Sequence, residues 1–140
     1  MQPDRLRQLF KPESVALFGA SDAEGALGTV ILKNLKSGGF HGPITLVNPK
    51  YEAIDGEPCY PSLHESGKEV DLAVIVAPAK VVPGIITDCG ESGVGAAIVV
   101  STGFSEAGPQ GTALENEMLR RASRYGMRIL GPNCLGVIRS

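Results

Sequence analysis

The sequence lacks the features of several broad classes of protein. No apolar run is long enough to cross a bilayer, and residues 1–14 contain acids but no apolar segment of the kind that a signal peptide needs. The net charge is only −2, which argues against nucleic acid or an anionic membrane as the main binding partner. We therefore expect neither a nucleic acid nor a membrane among the partners of this chain.

Cysteine and histidine are both scarce. The cysteines, Cys59, Cys89 and Cys134, are odd in number and do not have the spacing of metal ligands. We expect reduced thiols in a cytoplasmic protein, and no metal site. A catalytic cysteine would need a nearby base, and the chain offers only His41 and His64. His41 precedes a predicted strand and His64 resembles a surface residue, so we expect neither to be catalytic.

The chain has enough apolar residues for one folded domain. It has 140 residues, of which 43% are hydrophobic and 20% are charged, as in an ordinary globular protein. No repeat, low-complexity tract or interdomain linker is visible. We expect residues 1–140 to form a single domain.

Apolar runs alternate with segments of helical periodicity along the chain. The predicted strands are 15–18, 43–47, 71–76, 96–100 and 127–130. The predicted helices are 4–10, 25–37, a segment beginning near Pro83, and 110–125. This alternation is typical of an α/β fold, and it predicts a Rossmann-like three-layer αβα domain. We expect a mostly parallel sheet of about five strands in the order 3-2-1-4-5.

The first predicted strand runs into a glycine-rich turn. Gly19, Gly25 and Gly28 would let backbone amides and a helix N-terminus approach a ligand, an arrangement that suits a pyrophosphate. Their spacing is looser than the compact G-x-G-x-x-G of most dinucleotide-binding folds. In the alternative interpretation, the glycines only close a tight strand-to-helix turn.

The residues after the second predicted strand distinguish between ligands. In parallel α/β sheets the ligand binds beyond the carboxyl ends of the strands, and an NAD site has Asp or Glu after the second strand. This chain has Asn48 and Lys50 there. A lysine would pair with a phosphate on the ribose, which favours NADP or coenzyme A. The alternative is that Lys50 is only a solvated lysine in a turn.

Five motifs in succession make a family resemblance specific: LFKPESVALFGAS, GFHGPITLVNPK, VDLAVIVAPA, GAAIVVSTGFSEAG and YGMRILGPNCLGVI. Together they resemble the coenzyme A-binding domain of the NDP-forming acyl-CoA synthetases. That family includes the ADP-forming acetate–CoA ligases and is related to the alpha subunit of succinyl-CoA synthetase. The resemblance extends over nearly the whole chain.

The resemblance implies that the domain binds coenzyme A or acyl-CoA through the strand ends. It assigns the phosphates to the turn, through Gly19, Ala20, Ser21, Gly25 and Gly28. It assigns the adenosine 3′-phosphate end to Asn48, Pro49 and Lys50, and the adenine or ribose to Val76, Ala77 and Pro78. It assigns the pantetheine arm to Ser101 and Thr102, and the thiol end to Asn133 and Cys134.

Two positions in the turn depart from the family pattern, and two others in or near the implied site have a second interpretation. Glu24 and Ala26 stand where family members often have proline and a basic or hydroxyl residue, a difference that would weaken phosphate contacts. Glu106 would face the phosphohistidine segment of the enzyme, or would be a solvated loop carboxylate. Cys134 would lie near the thiol of the ligand, or would be a packing residue.

By this resemblance the parent protein is an ADP-forming ligase that makes an acyl-CoA through a phosphohistidine. The histidine and the nucleotide-binding ATP-grasp domain belong to other parts of the enzyme, so we expect these 140 residues to be an N-terminal piece without turnover of its own. One alternative is a regulatory domain, sensing CoA or acyl-CoA, of a lysine acetyltransferase. Another is an NADP-binding Rossmann domain.

Overall fold

A computed structural model describes residues 11–100 and 108–131 of the chain. The strands are β1 (Val15–Phe18), β2 (Ile44–Val47), β3 (Ala53–Ile54), β4 (Glu57–Tyr60), β5 (Leu72–Val76), β6 (Ala96–Val100) and β7 (Arg128–Leu130). The α-helices are α1 (Leu27–Ser37), α2 (Leu63–Ser66), α3 (Val82–Glu91) and α4 (Pro109–Arg124), and a 3-10 turn (Ala79–Val81) precedes α3. The predicted helix 4–10 lies outside the described residues.

The strands form one sheet in the order β3-β4-β2-β1-β5-β6-β7. The pairs are parallel except for the β3–β4 hairpin, which is antiparallel. Helices α1, α3 and α4 each connect one parallel strand to the next, as parallel strands require. The predicted α/β class with a mostly parallel, Rossmann-like sheet is confirmed.

The predicted strand order is wrong for the strand at 71–76. That strand, β5, pairs with β1 on the side opposite to β2. The position next to β2, which we assigned to it, belongs to β4. The sequence gives little sign of β4, because it has only four residues and Pro58, which cannot donate to a ladder, is one of them. When the six parallel strands alone are counted along the chain, the order is 3-2-1-4-5-6.

Apolar residues alternate between the two faces of the sheet. On one face, side chains such as Val15 and Leu17 of β1 pack with Ile31 and Leu32 of α1. On the other face, Ala16 and Phe18 pack in the cluster that includes residues of α2, α3 and α4. The central strands are buried on both sides, which explains why they are apolar without polar alternation.

The apolar periodicity of helix α1 predicts a buried stripe of Leu27, Val30, Ile31 and Leu35, of which Ile31 and Leu35 pack against the core. Gly28, Ile31 and Leu32 are buried, whereas Leu27 and Val30 are 41% and 44% exposed. The buried stripe therefore includes a glycine. Because a glycine has no side chain, α1 approaches the end of β1 closely at that point.

Candidate functional site

Gly19 lies where the ends of three neighbouring strands meet. Its φ is +90°, a conformation that glycine adopts without strain. Its N–H donates to the Val47 carbonyl at the end of β2, at 2.9 Å. A Cβ on residue 19 would lie 2.0 Å from the Val76 carbonyl oxygen at the end of β5. This is the point where the strand order reverses, at which α/β folds bind their ligands.

The other two glycines of the turn have different roles. A Cβ on Gly28 would lie 2.0 Å from the Gly19 carbonyl oxygen, so a side chain there would push α1 away from the strand end. Gly25 has a φ of +83° and open space around its Cβ position. Gly19 and Gly28 thus allow β5 and α1 to approach the end of β1 closely. Gly25 supplies a backbone conformation and leaves space just before α1.

The N-terminus of α1 suits an anion. Its N-cap residue is Ala26, and no side chain in the described part of the chain caps the helix. The first turn of the helix contains no acidic residue. The N–H groups of a first helical turn have no partners within the helix, and the helix dipole adds a partial positive charge there. Phosphate groups bind at such ends.

Hydrogen bonds from side chains hold the backbone of the turn. The hydroxyl of Thr29, in the first turn of α1, lies 2.9 Å from the Ser21 carbonyl oxygen and 2.7 Å from that of Ala23, so its single proton is shared between them. The amide nitrogen of Asn48 donates to the Ala20 carbonyl at 2.9 Å. The Ser21 hydroxyl accepts the Ala23 N–H at 3.0 Å. Three backbone carbonyls of the turn therefore have side-chain donors.

Ser21 has a different environment from that of a typical phosphate ligand. It is only 8% exposed, and its hydroxyl is bonded within the protein. A second bond joins that hydroxyl to the Tyr51 hydroxyl, at 3.2 Å. Ser21 therefore braces the turn and connects it to the loop after β2.

The loop after β2 lies against the glycine turn. Asn48 is the central residue of this contact, because its amide nitrogen bonds to Ala20 and its amide oxygen accepts the Lys50 N–H at 2.9 Å. The latter bond closes a local turn that is common for asparagine. Lys50 itself is exposed, and no carboxylate of the described residues forms an ion pair with it. Its ammonium group is thus free to meet a phosphate.

The end of β5 completes this edge of the sheet. Val76 and Ala77 are half-buried, and Pro78 is exposed. Pro78 also begins the 3-10 turn, in which its carbonyl accepts the Val81 N–H at 3.1 Å. Since Val76 contacts Gly19, these residues adjoin the glycine turn.

The structure thus places the predicted residues after β1, β2 and β5 at one edge of the sheet. The remaining predicted positions, Ser101, Thr102, Glu106, Asn133 and Cys134, lie outside the described residues. His41 and His64 are both exposed, and His41 precedes β2 at the opposite edge. Sequence reasoning missed Thr29 and Tyr51. Their only signal is a hydroxyl side chain close to a glycine turn or a strand end, which is too common to be specific.

Other kinds of site find little support in the described ranges. Within residues 11–100 and 108–131, no three His, Cys, Asp or Glu side chains are grouped so as to hold a metal ion. No helix in the same ranges is long and apolar enough to cross a membrane. Cys59 and Cys89 are buried and unpaired, and burial raises the pKa of both thiols.

The edge formed by β1, β2 and β5 fits the chemistry of coenzyme A. A pyrophosphate requires backbone N–H donors, and the first turn of α1 offers them and has no acidic side chain of its own. A phosphate on the ribose requires a cation, and Lys50 is accessible. The acids Asp22 and Glu24 are exposed in the turn, so solvent screens their charge.

Comparison with known families supports the same ligand. The sequence profile described as "CoA binding domain" matches residues 13–140. The chain belongs to this family of CoA-binding domains. The resemblance deduced from the five motifs is thereby confirmed, together with coenzyme A as the expected ligand.

The relatives of this CoA-binding domain are larger proteins, and the domain matches one part of each. It is 50% identical over 133 residues to acetate–CoA ligase [ADP-forming] I of Archaeoglobus fulgidus, covering 95% of this chain and 19% of that protein. It is 44% identical to the alpha subunit of acetate–CoA ligase [ADP-forming] I of Pyrococcus furiosus, covering 95% of this chain and 30% of that subunit. The chain thus spans between about a fifth and a third of the length of these relatives.

A solved structure has the same fold. It is the apo form of the "dinucleotide forming" acetyl-coenzyme A synthetase 1 of Ca. Korarchaeum cryptofilum. The TM-score is 0.84 at 44% identity, and the match covers 91% of this chain and 28% of that one. The CoA-binding domain therefore corresponds to a limited region of that enzyme.

Proposed function

We propose that this domain binds coenzyme A or acyl-CoA across the carboxyl ends of β1, β2 and β5. The pyrophosphate lies at the glycine turn and the N-terminus of α1, and the 3′-phosphate lies beside Lys50. The main support is the bond from the Asn48 amide to the Ala20 carbonyl, which holds the Lys50 loop against the turn. One ligand that carries phosphates on both the 5′ and the 3′ oxygens of its ribose can therefore reach both groups.

The remaining contacts follow the ligand along the strand ends. Val76, Ala77 and Pro78 contact the adenine or ribose, and the position of β5 beside β1 supports this. Ser101 and Thr102 follow β6 and contact the pantetheine arm. Asn133 and Cys134 follow β7 and lie near the thiol. The β5-β6-β7 order supports this direction along the sheet.

The domain serves an ADP-forming acyl-CoA ligase, which makes a thioester through a phosphohistidine. The names of the relatives support this class of reaction. Other parts of the enzyme, in the same polypeptide or in a second subunit, supply the phosphohistidine and an ATP-grasp domain that binds the nucleotide. The small share of each relative that the chain spans supports this division. The parent protein is cytoplasmic, as the unpaired Cys59 and Cys89 suggest, and binds no nucleic acid or membrane.

Calorimetric titration of the chain tests the binding proposal. The ligands are coenzyme A, 3′-dephospho-CoA, NADP and NAD, each titrated into the wild type and into Lys50→Ala. We expect coenzyme A to bind more tightly than its dephospho form, and we expect this preference to disappear in Lys50→Ala because the charge-assisted bond is lost. A bond of this kind contributes about 1.5–3 kcal/mol, so the preference should be roughly ten- to a hundredfold.

Lys33→Ala is the matched control, because Lys33 is another exposed lysine, located on α1. It should leave the preference for coenzyme A unchanged. Binding of NADP without a response to coenzyme A would overturn the proposal. Equal preference in Lys50→Ala and wild type would remove Lys50 from the site but leave coenzyme A as the ligand.

A further inference from the structure

Side-chain donors hold the backbone carbonyls of the glycine turn, and this affects how the turn can bind an anion. Asn48 donates to the carbonyl of Ala20, and Thr29 donates to those of Ser21 and Ala23. Of these two side chains, Thr29 is the one that lies on α1, the helix whose N-terminus faces the proposed phosphate site. Its hydroxyl thus connects α1 directly to the turn before it.

A turn that binds a phosphate must present N–H groups and keep carbonyl oxygens away. A peptide unit that rotates exchanges one for the other, because its N–H and C=O point in opposite directions. An oxygen with a bonded donor resists such rotation. In this turn the single hydroxyl proton of Thr29 is shared between two carbonyls, at 2.9 and 2.7 Å. The Ala23 carbonyl also accepts the Ala26 N–H at 3.2 Å, whereas the donor to the Ser21 carbonyl is Thr29.

We propose that Thr29 is a positioning residue for the pyrophosphate of coenzyme A. Its hydroxyl keeps the carbonyls of Ser21 and Ala23 turned toward the helix, so the amides of the turn stay oriented for an anion. This inference rests on the proposed function, because it assumes that the pyrophosphate binds at the turn. Thr29 thus contributes to pyrophosphate affinity by orienting the backbone amides, and it does not itself contact the ligand.

The test is a set of three variants of the full chain. Thr29→Val removes the hydroxyl and keeps the branched shape, whereas Thr29→Ser keeps the hydroxyl. Ser37→Ala is the control, because Ser37 lies at the other end of α1 and its hydroxyl donates to the Lys33 carbonyl at 2.9 Å. Each variant is titrated with coenzyme A, 3′-dephospho-CoA and pantetheine, and its unfolding is followed without ligand.

We expect Thr29→Val to bind both coenzyme A and 3′-dephospho-CoA more weakly than the wild type does, by the same factor of up to about ten, which is the effect of losing one shared hydrogen bond. The ratio between these two ligands should stay that of the wild type, because Lys50 still meets the 3′-phosphate. Pantetheine, which has no phosphate, should bind as before. Thr29→Ser should recover most of the affinity, and Ser37→Ala should match the wild type.

Two results would overturn the inference. One is wild-type affinity in Thr29→Val when the wild type binds coenzyme A normally. The other is an equal loss for pantetheine, which would indicate general damage to the fold. Absence of coenzyme A binding in the wild type would instead contradict the proposed function itself, so the two failures are distinguishable.

Discussion

Gly28→Ala is expected to separate α1 from the end of β1. The new Cβ would lie 2.0 Å from the Gly19 carbonyl oxygen, about 1.4 Å closer than the 3.4 Å at which ordinary contact begins. The obstacle is backbone on both sides, so no side-chain rotation can relieve it. Forcing such an overlap into a packed region costs about 1–3 kcal/mol.

An opposing effect has to be subtracted from this cost. Alanine is more favourable than glycine within a helix by about 1 kcal/mol. The expected net loss of stability is therefore up to about 2 kcal/mol. The displaced helix end should also lower the affinity for coenzyme A, because the N-terminus of α1 would no longer lie beside the turn.

Gly84→Ala is the matched control for this experiment. Gly84 lies in the first turn of α3, and its Cβ position has no atom within 4 Å. The same substitution should raise stability there, by up to about 1 kcal/mol. Urea denaturation followed by circular dichroism measures both variants, and calorimetry measures their affinity for coenzyme A. If Gly28→Ala proves as stable as Gly84→Ala and binds coenzyme A normally, the close approach of α1 to Gly19 is refuted.

Two further predictions concern titratable groups away from the site. The hydrogen bond from Arg121 to Glu117, at 2.7 Å, lowers the pKa of the Glu117 carboxyl below its ordinary value of 4.5. Its stabilising contribution should be complete above pH 4.5 and disappear as the pH falls through the lowered pKa. The melting temperatures of wild type and Glu117→Gln should thus converge in acid, while Glu115→Gln serves as control, and a pH-independent difference would contradict this. Burial raises the pKa of Cys89, so iodoacetamide should label this residue only after unfolding in urea. Mass spectrometry of the digested chain locates the label, and rapid labelling of Cys89 in the native chain would disprove its burial.

The sequence predicts those parts of the fold that depend on local patterns. The five apolar runs predicted as strands all correspond to strands, because central parallel strands need apolar residues on both faces. The hairpin β3–β4 escaped prediction because edge strands tolerate polar residues and proline. Missing β4 led to the error in strand order. Pairing partners depend on distant segments, and no local pattern records them.

Contacts between distant residues also limited what could be predicted for the side chains of the candidate site. Residues directly after the strands could be predicted, because the carboxyl edge of a parallel sheet is where ligands bind. Thr29 and Tyr51 could not, since their importance comes from hydrogen bonds to Ser21, which lies eight positions from one and thirty from the other. Ser21 itself was predicted to contact the phosphates, but its hydroxyl is bonded inside the protein.

The register of the central strand also determines when the site can form during synthesis and folding. Val15 of β1 pairs with Ile44 on one side and with Leu72 on the other. Neither neighbour is joined to β1 by a tight turn, so both pairings close long loops, which slows folding. Gly19 reaches its final contact only when Val76 has arrived beside it. On a ribosome, the glycine turn is therefore among the first parts of the sheet to emerge, but it is complete only after β5, the fourth of the six parallel strands along the chain, has emerged as well.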